Sequence, residues 1–112
     1  MQTKLLKLLS QKKTFTGVRQ EQWGNGILKS KIHYKNGKKE GRETIWYESG
    51  EKKAEVHYRS GKIDGLATNW YESGEKKHEV HYKNGIEHGI RKEWNEYGKK
   101  TFEGNFVDGN KE

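Results

Sequence analysis

A chain of 112 residues is enough for one domain, and with 29% hydrophobic and 35% charged residues it leans toward disorder unless a pattern overrides composition. The absence of cysteine excludes disulfide staples and thiolate metal sites, so stability must come from strand pairing and packed side chains. A formal net charge of +7 points toward an anionic partner without choosing among an acidic protein face, nucleic acid and a charged lipid surface; solvated lysines that keep sheet edges soluble are the plainer explanation.

The first segment places Leu5, Leu8 and Leu9 on one helical face with Lys4 and Lys7 outside it, which predicts a short helical cap over residues 1–13. Its apolar part is shorter than the ~7–15 residues of a signal-peptide core, and no stretch reaches the ~20 apolar residues of a membrane span. The reading is therefore cytoplasmic for this chain, or exported if a signal once preceded it.

From residue 14 to residue 112 the chain is periodic. Glycines recur every 24 residues in three ladders: Gly17, Gly41, Gly65 and Gly89; Gly26, Gly50, Gly74 and Gly98; and Gly37, Gly61, Gly85 and Gly109. Segments 34–57 and 58–81 agree at 16 of 24 positions, so the period is a structural unit present in about four copies. The copies diverge toward both ends, as capping requires. Within one copy KAEVHY at 53–58 alternates as a strand, RSGKIDG turns, and LATNWY runs back as a second strand. ESGEK then turns into KHEVHY and restarts the cycle. Asn36-Gly37 and Asn84-Gly85 are hairpin signals, and a glycine about every eight residues excludes helix, so the array is all-β.

Alternation sorts the side chains into rows one repeat apart. Tyr34, Tyr58, Tyr82 and Phe106 form one; Ile32, Val56 and Val80 another; Trp46, Trp70 and Trp94 a third, and together these are the expected core. Tyr47, Tyr71 and Trp23 fall on the side away from Trp46 and Trp70.

The units YKNGKKEG at 34–41 and YRSGKIDG at 58–65, each followed by a strand ending in Trp-Tyr, resemble the MORN repeat. The WYESGEKK segments at 46–53 and 70–77 are similar to its bacterial MORN-variant form, and the resemblance covers residues 14–112. Leu66-Ala67 after Gly65, and a unit of 24 residues, depart from the standard repeat. The resemblance implies an elongated, single-layer, twisted antiparallel sheet of successive hairpins. It also implies a binding role. Bacterial proteins that look like this are described as antitoxin or immunity components for a cognate toxin, and other MORN arrays are scaffolds for protein assembly or membrane attachment.

Catalysis and metal binding are weighed against plainer readings. His33, His57 and His81 recur one repeat apart, about 9–10 Å, whereas two imidazoles on one zinc need nitrogens within about 4 Å, so no metal or other cofactor is expected. Glu48, Glu72 and Glu96, and Glu55, Glu79 and Glu103, recur beside lysines in every copy, as cross-strand charge partners do and a catalytic pair does not. No phosphate loop or nucleophile elbow is present, so the expectation is a non-enzymatic protein. Acidic residues threaded through ESGEKK and KKEG break any clean basic stripe, which leaves polyanion binding, to nucleic acid or anionic lipid, as the alternative to protein binding. A single-layer sheet cannot bury both sides, so Trp23, Tyr47 and Tyr71 are expected to be left for a partner protein, with His33, His57 and His81 along the rim. Tyr71→Ala is expected to weaken that contact by ~2 kcal/mol or more. The last strand, KTFEGNF, offers an edge for homodimerisation.

Overall fold

The structure, a computed structural model, describes residues 15–112. The helical cap expected over residues 1–13 lies outside the described residues. The described chain is one antiparallel meander: β1 (Gly17–Gln22), β2 (Leu28–Lys35), β3 (Lys38–Trp46), β4 (Lys52–Arg59), β5 (Lys62–Trp70), β6 (Lys76–Lys83), β7 (Ile86–Glu87), β8 (Gly89–Trp94), β9 (Lys100–Val107) and β10 (Asn110–Lys111). Each strand pairs with its sequence neighbours; β6 pairs with both β7 and β8, which are one strand interrupted at His88. Strands in a meander pair only locally, so the sheet grows in one direction and stays one layer thick. Its extents are 57 × 40 × 18 Å, and the radius of gyration is 17.2 Å where a compact chain of this length has about 13 Å. The single-layer antiparallel sheet expected from the repeat is observed.

Two turn types alternate, and residue type decides which. At the hairpin tips Asn36 and Gly37 have φ of 51° and 79°, as do Ser60-Gly61, Asn84-Gly85 and Asp108-Gly109 within a few degrees. Both central residues are left-handed, the turn whose twist matches that of the flanking strands. At the other end the Gly50 amide donates to Tyr47 O at 3.0 Å and Tyr47 N–H to Glu51 O at 2.9 Å, with Gly50 at φ 93°. This is a type I turn closed by a left-handed glycine, and it recurs at Trp23–Ile27, Tyr71–Glu75 and Asn95–Lys99.

The remaining glycine ladder makes a bulge. Between the pairs Ile32↔Glu43 and Tyr34↔Lys39, His33 stands opposite Glu40, Gly41 and Arg42. Val56↔Ala67 and Tyr58↔Ile63 repeat the irregularity at His57. His88 N–H donates to His81 O at 2.9 Å where the same bulge splits β7 from β8.

Burial is shallow. Ala54, Ala67 and Val80 are the buried apolar residues, and Glu43, Thr44 and Thr68 are buried beside them. The tryptophan row, expected in the core, is only half-buried. With no second layer, a side chain is hidden only when longer neighbours on adjacent strands close over it, so small residues in the middle strands are shielded and large ones are not. Pairing places Ile32, Val56, Val80 and the Tyr34–Tyr58–Tyr82 row on one side, the tyrosine face. Trp46, Trp70 and Trp94 lie on the other, the tryptophan face.

Candidate partner-binding site

Repeats are fastened to one another at both ends of the strands. At the tips the amide of Gly61 donates to Lys39 O of the preceding copy at 2.9 Å, and that of Gly85 to Ile63 O at 2.7 Å. The residue before each bulge glycine accepts from the next tip: Asn36 N–H reaches Thr16 Oγ1 at 2.9 Å, Ser60 N–H reaches Glu40 Oε1 and Asn84 N–H reaches Asp64 Oδ1, each at 3.0 Å. At the opposite end an aromatic donor closes over the following copy. Trp23 Nε1–H donates to Trp46 O at 3.1 Å, Tyr47 O–H to Trp70 O at 2.7 Å, and Tyr71 O–H to Trp94 O at 2.9 Å. The fourth copy carries Asn95 at this place. Burial pushes the Tyr47 phenol above its ordinary pKa, with the Glu72 carboxylate adding to it, so the donor proton is held.

These bonds locate the residues expected to meet a partner. Trp23, Tyr47 and Tyr71 are half-buried, their polar atoms engaged, and their rings carry the ammonium groups of Lys29, Lys53 and Lys77 at 4.8, 5.7 and 5.6 Å. His33, His57 and His81 stand on the tryptophan face, so strand alternation does not bring the two rows to one surface. His33 Nδ1 lies 2.9 Å from Arg42 O, and His81 Nδ1 lies 2.8 Å from Ile90 O. A carbonyl only accepts, so Nδ1 carries the proton and Nε2 is turned outward.

Open grooves lie on the tryptophan face. Trp46 and Trp70 flank a groove of about 380 Å³ with Gly50, Lys52 and Gly74. Trp70 and Trp94 flank the next, about 360 Å³, with Gly74, Lys76 and Gly98. Two strand spacings set their period, about 9.5 Å. Along the row that borders the grooves charge is locally compensated: Lys52 Nζ lies 2.8 Å from Glu55 and Lys76 Nζ lies 3.4 Å from Glu79, and Lys100 bonds Glu103. The Lys52 hydrogen bond draws the Glu55 carboxyl below its ordinary pKa against the opposing pull of burial, with the Lys52 and Arg42 charges adding to it. The grooves were not foreseen from the sequence; the signal was present in Gly50 and Gly74, which leave no side chain between successive tryptophans.

The family model of the MORN repeat variant matches residues 15–36, 39–60 and 63–84, more than half of the chain. The chain belongs to the MORN repeat variant family. No curated protein and no solved structure matches it significantly. MORN repeats are generally protein- or membrane-binding modules and are not typically enzymes. The matched units each run along one strand, through the type I turn and back along the next strand to the first central residue of the tip turn, and the fourth copy, beyond the matched residues, repeats both turn types. Among the described residues no group of three or more His, Asp or Glu side chains is placed to hold a metal ion.

Proposed function

We propose that this MORN-variant chain is a non-enzymatic protein-binding array whose recognition surface is the tryptophan face. The observation that carries it is the row Trp46, Trp70 and Trp94 with an open groove between each pair, grooves whose bordering Lys52 and Lys76 are paired with glutamates. Half-exposed aromatics beside glycine-floored grooves suit the apolar anchors of a partner protein, and the compensated charge beside those grooves gives a polyanion little to hold there. His33, His57 and His81 stand on the same face, toward the bulge end of the strands, and do not line the grooves. Trp23, Tyr47 and Tyr71 act on binding by holding consecutive tryptophans in place, through bonds to the tryptophan carbonyls. The narrower reading, an antitoxin- or immunity-type binder of a cognate toxin, is supported by the likeness of WYESGEKK to the bacterial variant repeat.

The test is capture from lysate of the source organism at low and at high salt, comparing the wild-type chain with Trp70→Ala. One protein retained at high salt and lost with Trp70→Ala is expected. Nucleic acid or lipid captured at low salt and shed at high salt, unaffected by Trp70→Ala, refutes the reading in favour of the alternative that the +7 charge suggests, a polyanion-binding scaffold.

A further inference from the structure

Departure from the repeat singles out one place on the tryptophan face. Lys31, His33, Arg42, Thr44, Trp46 and Lys52 line a pocket of about 210 Å³. Strand pairing sets Lys31 across from Thr44 and Trp46 across from Lys52. The bond from His33 Nδ1 to Arg42 O holds the imidazole as one wall, Trp46 forms another, and buried Thr44 lies at the floor. Among the described residues Glu55 is the carboxylate in reach of these cations, 2.8 Å from Lys52 and 3.6 Å from Arg42. Three cations, Lys31, Arg42 and Lys52, against one carboxylate leave two positive charges uncompensated.

The same positions in the following copies lack that excess. One repeat on, Lys31 becomes Glu55 and Arg42 becomes Leu66, so Lys76, 3.4 Å from Glu79, is the one Lys or Arg among the corresponding positions. Two repeats on, they become Glu79 and Ile90, and Lys92 and Lys100 are balanced by Glu79 and Glu103. A lining that served only the fold would recur with the fold. A surface built for a long polyanion would continue its cations along the row, and here carboxylates replace them.

We infer that this pocket receives two neighbouring carboxylates from an acidic segment of the partner protein, an inference that rests on the protein-binding reading above. The guanidinium of Arg42, whose side chain is 57% exposed, offers a fork to one carboxylate. Lys31 meets the other, and the Trp46 ring covers the methylenes between them. The partner's acidic anchor then sits beside the Trp46–Trp70 groove, where its apolar residues lie, and fixes which repeat the partner occupies.

The probe is a blocked hexapeptide with a central Asp-Glu in a Ser/Gly background, titrated into the isotope-labelled full chain at low ionic strength. Its Asn-Gln analogue, inorganic phosphate and phosphatidylserine-containing vesicles are run in parallel. The Asp-Glu peptide is expected to shift the Lys31, Arg42 and Thr44 amides and the Trp46 indole saturably, with the analogue inert. The double variant Lys31→Glu/Arg42→Leu installs residues the next repeat already carries; it is expected to fold with an unchanged melting temperature and to bind at least tenfold more weakly. The reverse graft, Glu79→Lys/Ile90→Arg, is expected to create a second site read at Lys92 and Trp94. Unchanged affinity in the first double variant overturns the pocket, and saturation by phosphate or vesicles without the peptide overturns its assignment to carboxylates. A lysate partner retained by Lys31→Glu/Arg42→Leu and lost by Trp70→Ala overturns the pocket and leaves the protein-binding reading standing. Peptide saturation with no protein captured by the wild-type chain overturns that reading and leaves the pocket.

Discussion

On the tyrosine face one pair of positions changes in complement from repeat to repeat, whereas on the tryptophan face the Arg42 position changes while the glutamate it contacts does not. One pair of positions on the tyrosine face is filled four ways. Arg19 lies over the Phe15 ring at 4.4 Å; Lys39 binds Glu43 at 3.1 Å; Ile63 and Ala67 are apolar; and Glu87 lies 3.1 Å from Arg91. The Glu87–Arg91 contact is the Lys39–Glu43 contact with the charges exchanged. Burial alone would draw the Lys39 pKa down, yet the hydrogen bond and charge of Glu43 hold it above its ordinary value. A shielded charge needs a counter-charge within the sheet, so a change at one of these positions demands its counterpart. Across the tryptophan face Arg42, 3.6 Å from Glu55, gives way to Leu66 and Ile90 while the glutamate recurs as Glu79 and Glu103.

Substitutions borrowed from other repeats can break or sharpen this contrast. The largest effect is expected where both faces share the backbone. Gly89, at φ +122°, would place a Cβ 2.9 Å from His81 Cβ, whereas Gly41 would meet His33 Cβ at 3.9 Å. In urea denaturation Gly89→Ala should cost about 3 kcal/mol, left-handed strain plus overlap, and Gly41→Ala about 1–2 kcal/mol from strain alone; equal costs would show that the two bulges are not distinguished by crowding. Next, Tyr71→Ala should cost about 2–3 kcal/mol and Tyr71→Phe about 1 kcal/mol. A silent Tyr71→Phe would mean that the ring, and not the bond to Trp94 O, ties the repeats.

Smaller again is the pair test itself. Glu43→Ala should cost about 1 kcal/mol by leaving Lys39 without its partner, and adding Lys39→Ile, which completes the third repeat's pair, should recover most of it. Lys31→Glu and Arg42→Leu on the opposite face should each stay within about 0.5 kcal/mol. Comparable costs on both faces would end the distinction. The smallest effect is one of pH. His78 stands on the tyrosine face where the preceding repeat has Ala54, and burial, assisted by the Lys77 charge, lowers its pKa below the ordinary 6.5. The folded state therefore disfavours the proton, so stability is complete above about pH 6.5 and declines as pH falls toward the lowered value. His78→Ala should flatten thermal melts compared at pH 7.5 and pH 5; an unchanged slope would assign the acid loss to other groups.

The parts of the fold governed by local chemistry were legible in advance. Asn36-Gly37 states its turn because two consecutive left-handed residues are needed, and the alternation of Val56 with His57 states the strand and its faces. The ties between repeats were less visible. Tyr47 and Tyr71 recur as an interaction surface would, and only the exchange of Tyr for Trp23, another hydrogen-bond donor on an aromatic ring, hints that the proton matters. The burial of Glu43 and Thr44 could not be read from alternation, because it depends on how far neighbouring side chains reach across a sheet with no opposite layer. The grooves were hidden for the same reason. They arise where side chains are missing beside Trp46, Trp70 and Trp94, residues whose apolarity places them in a core.

Every tie between copies reaches no farther than the adjoining copy: tip amides lean back one unit, aromatic donors lean forward one. Such an array can be lengthened or shortened in whole units of the repeat, since each newly joined neighbour finds the same tip, acceptor and donor waiting for it. Recombination between near-identical segments such as 34–57 and 58–81 would extend the row of tryptophan grooves without inventing a contact. The pocket at Lys31 and Arg42 would not multiply with it unless its own unit were copied, so reach and address can evolve separately in one molecule.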